Sequence, residues 1–144
     1  MITYKALPWL HTRPMAWFEC EGIAIMKNLL LEYSEELATK SELLCKNINS
    51  NSNTVFQLRK SSSSVFANIA EAQYPQSLAD MLSKLKIARK ECIETESWLK
   101  LLYSTNVIDA QTFKSYRNLC GRIQRMLTAS CITIENKNCE KWHQ

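Results

Sequence analysis

The sequence predicts an all-α protein, an antiparallel up-down-up-down four-helix bundle, and three observations carry that expectation. Two glycines and three prolines in 144 residues are too few for an all-β chain, which needs turn residues about every 8–12 positions. Four segments repeat apolar or small residues at steps of three and four, the period of a helix packed along one side. The breaks between them are short and rich in capping residues, as connections between antiparallel neighbours are. With 46% apolar and 22% charged residues, the composition is that of one globular domain. A chain of this size buries roughly 70% of its unfolded surface and needs no disulfide or metal to staple it.

Residues 1–26 hold no sustained period. They include Trp9, Trp17, Phe18 and prolines at 8 and 14, and read as an N-terminal extension: an arm that docks on a partner, or a leader ahead of an internal start at Met26. The bundle is expected over 27–134. Its first helix, about 27–48, draws a stripe through Leu30, Ser34, Leu37, Ser41, Leu44 and Ile48. The polar run Asn49 to Asn53 then competes for backbone hydrogen bonds and offers an N-cap. A second helix, about 54–73, turns Val55, Leu58, Ser62, Val65, Ile69 and Ala72 inward and ends at Tyr74-Pro75. Ser77-Leu78-Ala79-Asp80 is a capping box for the third helix, about 78–104, whose stripe runs through Leu78, Leu82, Leu85, Cys92, Leu99 and Leu102 or Tyr103. Asn106 ends it and Asp109 caps the fourth, about 110–134, with Phe113, Tyr116, Cys120, Ile123, Leu127, Ser130 and Ile134 facing in. Residues 135–144 read as a polar tail.

Most chemistries lack their residues. Cys20, Cys45, Cys92, Cys120, Cys131 and Cys139 are scattered without a C-x-x-C, and the two histidines, His11 and His143, stand near opposite ends. That spacing suits reduced structural thiols rather than zinc or a disulfide framework. No export signal or membrane span is present in the sequence, so the expected location is the cytoplasm. The serines 61–64 have no histidine near them to activate an oxygen. They read as small side chains that let helices approach closely. Glu91, Glu94 and Glu96 are the candidate carboxylate cluster, but no E-x-x-H accompanies them. No enzyme, cofactor or metal is expected.

Charge is distributed unevenly. Residues 27–48 carry Glu32, Glu35, Glu36 and Glu42 against three lysines, whereas 112–126 carry Lys114, Arg117, Arg122 and Arg125 and no acid. On a helix these four cations fall opposite the Phe113/Ile123/Leu127 stripe without i,i+4 acids to pair them. They are either a solvated face or a phosphate-binding one, which Arg59 and Lys60 could extend. Trp98 falls off the core stripe of its helix and is the candidate anchor of a subunit interface. Glu96 projects toward the apolar arc, where a carboxylate is usually paired or at an oligomer seam.

Two blocks carry a family resemblance. Gln57 to Ala72, containing Ser62, Ser64, Asn68-Ile69-Ala70-Glu71, resembles the "S-x-S-x-x-x-N-I-A-E" segment of small bacterial four-helix-bundle proteins. These are the 23S rRNA intervening-sequence proteins, also labelled S23 ribosomal proteins. Lys84-Leu85, Ala88, Lys90-Glu91, Glu94-Thr95, Trp98-Leu99 and Leu101-Leu102 are similar to a second block of that family. The resemblance spans about residues 27–134, with Ala72 where many members have glycine. It implies a homo-oligomer, commonly a pentamer, and a related branch, the accessory variability determinants of diversity-generating retroelements, implies a reverse transcriptase and its RNA as partners. The expected function is a non-enzymatic adaptor that binds RNA or DNA. The alternative is a protein-binding scaffold whose basic face is merely solvated.

Overall fold

The computed structural model describes residues 21–48 and 52–140, with side chains for 28–48 and 52–137. Four helices follow in order: α1 (Glu21–Asn47), α2 (Asn53–Glu71), α3 (Leu78–Ser104) and α4 (Ala110–Glu140). Each packs on the next, and α4 closes the bundle against α1. Thus α1 and α3, like α2 and α4, stand diagonally across the core. This is the expected all-α bundle.

The ends of the helices follow from their capping chemistry. Ser52 Oγ accepts from Val55 N at 3.4 Å and starts α2. Ser77 Oγ accepts from Asp80 N at 3.1 Å, while the Asp80 carboxylate reaches back to Gln76 N, also at 3.1 Å. Asn106 adopts φ 58°, the left-handed conformation that asparagine tolerates. Val107 N then bonds Leu102 O and Asn106 N bonds Tyr103 O, a Schellman closure of α3. Asp109 Oδ1 accepts from Thr112 N at 2.6 Å at the head of α4.

Three boundaries depart from expectation. The first helix begins at Glu21 rather than 27, because 21–26 contain no proline and extending a formed helix costs far less than nucleating one. Residues 1–20 lie outside the described residues. Helix α2 stops at Glu71, since Pro75 bars Tyr74 from the helical region and the last turn tightens to Gln73 N→Ala70 O and Tyr74 N→Glu71 O. The expected tail is helical through Glu140, where Glu135 meets Lys86 of α3 at 2.7 Å and so α4 extends alongside the start of α3. Only 141–144 of it lie outside the described residues.

The core holds the stripes in modified form. All six expected positions of α2 are buried, and so are Leu30, Ser34, Leu37 and Ser41 on α1, but Cys45 replaces Leu44 and Ile48 as the deepest residue of the last turns. On α3, Met81, Ala88 and Thr95 are buried while Leu78 and Leu82 only flank the core, and Tyr103 is exposed, stacking on Phe113 with ring centroids 5.0 Å apart. On α4, Leu119 and Cys131 join the expected face. Strides of three and four alone do not fix the centre of a stripe over seven turns. The neighbouring helices decide it.

Candidate nucleic-acid interface

The four cations of α4 do not share one environment. Arg117 turns toward α3, its Nε 3.7 Å from Glu96 Oε1, with 68% of its side chain exposed. Gln124 Nε2 donates to the other Glu96 oxygen at 3.0 Å. Arg122 turns the opposite way and lies over the Tyr33 ring of α1 at 5.8 Å. Lys114 and Arg125 lie between these two directions, exposed, with no hydrogen bond or ion pair to the described residues. Gly121, one turn from Arg125, has only the Arg125 guanidinium near the place a Cβ would take.

The expected extension through Arg59 and Lys60 fails on geometry. Both stand on α2, diagonal to α4, and Arg59 Nε is 2.8 Å from Glu42 Oε2 of α1. Lys60 is exposed on that remote face. The structure supplies a different extension. Arg89 and Lys100, seven residues before and four after Glu96, lie on the side of α3 that meets α4. Both are exposed, and Arg89 is near enough to Cys131 of α4 to influence its thiol. Reading each helix separately missed these two, because a stripe on α3 and one on α4 become one surface only when the helices are adjacent. The spacing from Glu96 was the available signal.

Trp98 and Glu96, the expected interface residues, both have partners inside the protomer. The Trp98 indole N–H donates to Glu94 Oε1 at 3.1 Å and the ring, half-buried, packs against the core. Off-stripe position on α3 therefore covers the bundle's own flank. Glu96 is taken by Gln124 and Arg117, as above.

The titratable groups are shifted away from reactivity. Burial pushes the Cys45 and Cys131 thiols up, and a hydrogen bond with Cys92, added to burial, pushes Cys120 up as well. A reactive cysteine needs the reverse. Burial also raises Tyr116 to about 12. Cys45, Cys92, Cys120 and Cys131 are free and buried, as expected of structural thiols. Cys20 lies outside the described residues and Cys139 outside the described side chains. The Glu135 carboxylate holds the Lys86 ammonium by hydrogen bond and keeps it charged. The candidate carboxylate cluster does not assemble: Glu94 holds Trp98 and Glu96 holds Gln124. Among the described residues no group of three acids, cysteines or histidines could hold a metal, and no helix is long and apolar enough to cross a membrane.

Fold and surface together define a helical bundle whose charged side chains are displayed outward along α3 and α4. The chain belongs to the 23S rRNA-intervening sequence protein family, whose model matches residues 27–129. It is similar to a crystal structure of a protein of unknown function from the S23 ribosomal protein family of Bacteroides thetaiotaomicron, at 35% identity and a TM-score of 0.71. That similarity covers 74% of this chain and 97% of the other. No curated protein matches the chain.

Proposed function

We propose that this protein is a non-enzymatic, homo-oligomeric adaptor that holds nucleic acid, RNA in preference to DNA, on the outward surface shared by α3 and α4. The observation that carries the reading is an imbalance of pairing. Lys114 and Arg125, with Arg89 and Lys100 across the seam, are exposed cations without a hydrogen bond or ion pair to the described residues. The acids beside them are already engaged, Glu96 with Gln124 and Arg117 and Glu135 with Lys86. Such cations neutralise phosphates and release the counterions condensed on a nucleic acid. The family's name, with its tie to 23S rRNA, supports RNA as the ligand. A homo-oligomer, for which the resemblance suggests five copies, repeats the surface and multiplies a weak contact through effective concentration. A reverse transcriptase is the protein partner to seek, on the resemblance to the retroelement branch.

A gel-shift titration over structured RNA, single-stranded DNA and duplex DNA tests this. Binding should weaken with salt at a log-log slope of roughly −0.7 to −0.9 per neutralised phosphate. Lys114→Glu with Arg125→Glu should lower affinity by roughly tenfold or more near 100 mM salt, whereas Lys60→Glu on the diagonal helix should change it by less than about twofold. Undetectable binding of the unmodified protein to all three ligands at about 50 mM salt would overturn the proposal and leave the protein-binding scaffold.

A further inference from the structure

The outward faces of α1 and α3 are complementary to one another. On α3, Ile87, Ile93 and Leu101 are 40%, 48% and 43% exposed, and a shallow depression lined by Leu82, Ile87 and Lys90 runs along part of this face. On α1, Leu29 and Leu43 are 37% and 55% exposed, with exposed Glu32 and Glu36 between them in sequence. At about 100° per residue, Leu29, Glu32, Glu36 and Leu43 fall within roughly 60° of one another, and so do Ile87, Lys90 and Leu101. One face is therefore leucine, acid, acid, leucine. The other is isoleucine, lysine, leucine, with Glu94, held by the Trp98 indole, in the same arc.

Charge separates the faces as sharply as sequence does. Lys90 and Glu32 have no hydrogen bond or ion pair to the described residues, and Glu36 has only the exposed i,i+4 contact with Lys40 at 3.5 Å. The other charges nearby are engaged within the protomer: Glu94 by the Trp98 indole, Lys86 by Glu135, and Lys46 by Glu42 at 3.9 Å.

The two faces also overlap in height. Glu42 of α1 meets Arg59 of α2, and Ser61 of α2 meets Thr95 of α3. By the other route Tyr33 meets Arg122 of α4, and Gln124 of α4 meets Glu96 of α3. Counted through the α2 contacts, Ile87 stands within about one helical turn of Leu29, Lys90 of Glu32 and Glu36, and Leu101 of Leu43; counted through the α4 contacts the same α3 residues stand about two to three turns away in the opposite direction, so the two routes bracket a level arrangement. Because α1 and α3 are diagonal, these faces point away from each other, and two copies shifted along the helices by no more than about two turns bring them together.

We infer that copies of this chain associate head to tail, the outward face of α1 in one copy packing on the outward face of α3 in the next. The inference rests on the homo-oligomer of the proposed function and specifies its contact. A self-paired, two-fold interface would oppose Lys90 to Lys90 or Glu32 to Glu32, which like-charge repulsion penalises. A head-to-tail contact sets each lysine between glutamates and each exposed leucine against an apolar partner. It leaves Lys114 and Arg125 of every copy outside the contact, so that the cations repeat along the assembly.

Light scattering on the full chain, freed of nucleic acid by nuclease, tests the contact with two single substitutions. Leu43→Asp disables the α1 face and Leu101→Asp the α3 face, and both side chains are exposed, so helicity by circular dichroism should match the parent. Each variant alone should be monomeric. Mixed in equal amounts they should form a dimer and nothing larger, since one intact α1 face then meets one intact α3 face. As a second arm, Glu32→Lys with Glu36→Lys should dissociate the assembly, and adding Lys90→Glu to the same chain should restore it. This arm alters exposed charges alone and decides the matter if an aspartate variant loses helicity. An assembled parent whose mass is unmoved by Leu43→Asp or by Leu101→Asp would overturn this contact while leaving homo-oligomerisation standing. A parent that is monomeric at tens of micromolar would overturn both. Failure of the protein to bind nucleic acid would touch neither result.

Discussion

The seam between α2 and α3 and the seam between α1 and α4 are built from opposite materials. Helices α2 and α3 share the most extensive packing of any pair, and α1 and α4 the least of the adjacent pairs. Between α2 and α3 the contacts are small: buried Ser61 and Thr95 lie 2.9 Å apart, and their hydroxyls are also satisfied by Leu58 and Glu91 carbonyls of their own helices. Buried hydroxyls paired in this way cost little and let backbones come close. Exposed Lys84 and Glu71 clasp the end of the same seam. Between α1 and α4 the contacts are long. Lys40 reaches Ser115 at 3.2 Å and lies over the Tyr116 ring at 5.4 Å, and Arg122 covers Tyr33. Nearby on α1, the Ser41 hydroxyl is buried with no hydrogen-bond partner among the described residues. The comparison teaches that small residues at one seam fix spacing, while cations over rings bridge a seam that spacing does not close.

Three perturbations rank the two seams. The largest effect should come from Ser61→Leu, which forces extra methylenes into the tight seam and should lower unfolding stability by about 1–3 kcal/mol, read from urea melts followed by circular dichroism. A neutral outcome would mean that the α2–α3 seam has slack and the contrast is lost. Arg122→Ala removes a cation from a half-buried ring at the looser seam and should cost no more than about 1 kcal/mol by the same melts. A larger loss would place Arg122 among the determinants of closure.

The smallest effect belongs to Asp109→Ala, at the start of α4, and gives the background against which the seams are judged. Hydrogen bonding from the Thr112 backbone holds the Asp109 carboxyl below the usual carboxylate range. A group depressed in the folded state adds stability above its unfolded value of about 4 and loses it as the pH falls through the lower folded value. The variant should therefore melt slightly below the parent at neutral pH, with the gap closing as the pH falls below about 4. A gap that stayed constant into acid would deny the carboxylate its part in the cap.

The family motif reads differently once this contrast is known. Ser62, Ser64 and Asn68 looked like one signature in sequence, yet Ser62 is buried and bonds Arg59 O at 3.2 Å, while Ser64 and Asn68 bond each other on the half-exposed side. Small size at 61 and 62 was legible as close packing. That Thr95 would be the partner was not, since residues 34 apart share nothing in sequence that names one another. The candidate nucleic-acid surface divides in the same way. Lys114 and Arg125 were found on their helix face, whereas Arg122 and Arg59 were claimed by neighbours on other helices.

Local rules determined what the sequence could settle alone: four helices, their order, the caps at Ser52, Ser77 and Asp109, the left-handed stop at Asn106, and most inward positions. Hydrogen bonds at helix ends span three or four residues, and apolar periodicity is a property of one helix, so both are written in consecutive side chains. Tertiary structure decided which helix stands beside which, and with it the fate of every long side chain. It drew Arg117 to Glu96, Arg122 to Tyr33 and Arg59 to Glu42, tucked Trp98 against the core, extended α4 to Glu140 beside α3, and set the faces of α1 and α3 on opposite sides. The physical reason is reach. An arginine or glutamate extends past its own helix to whatever the bundle brings near it, and that neighbour lies tens of residues away along the chain.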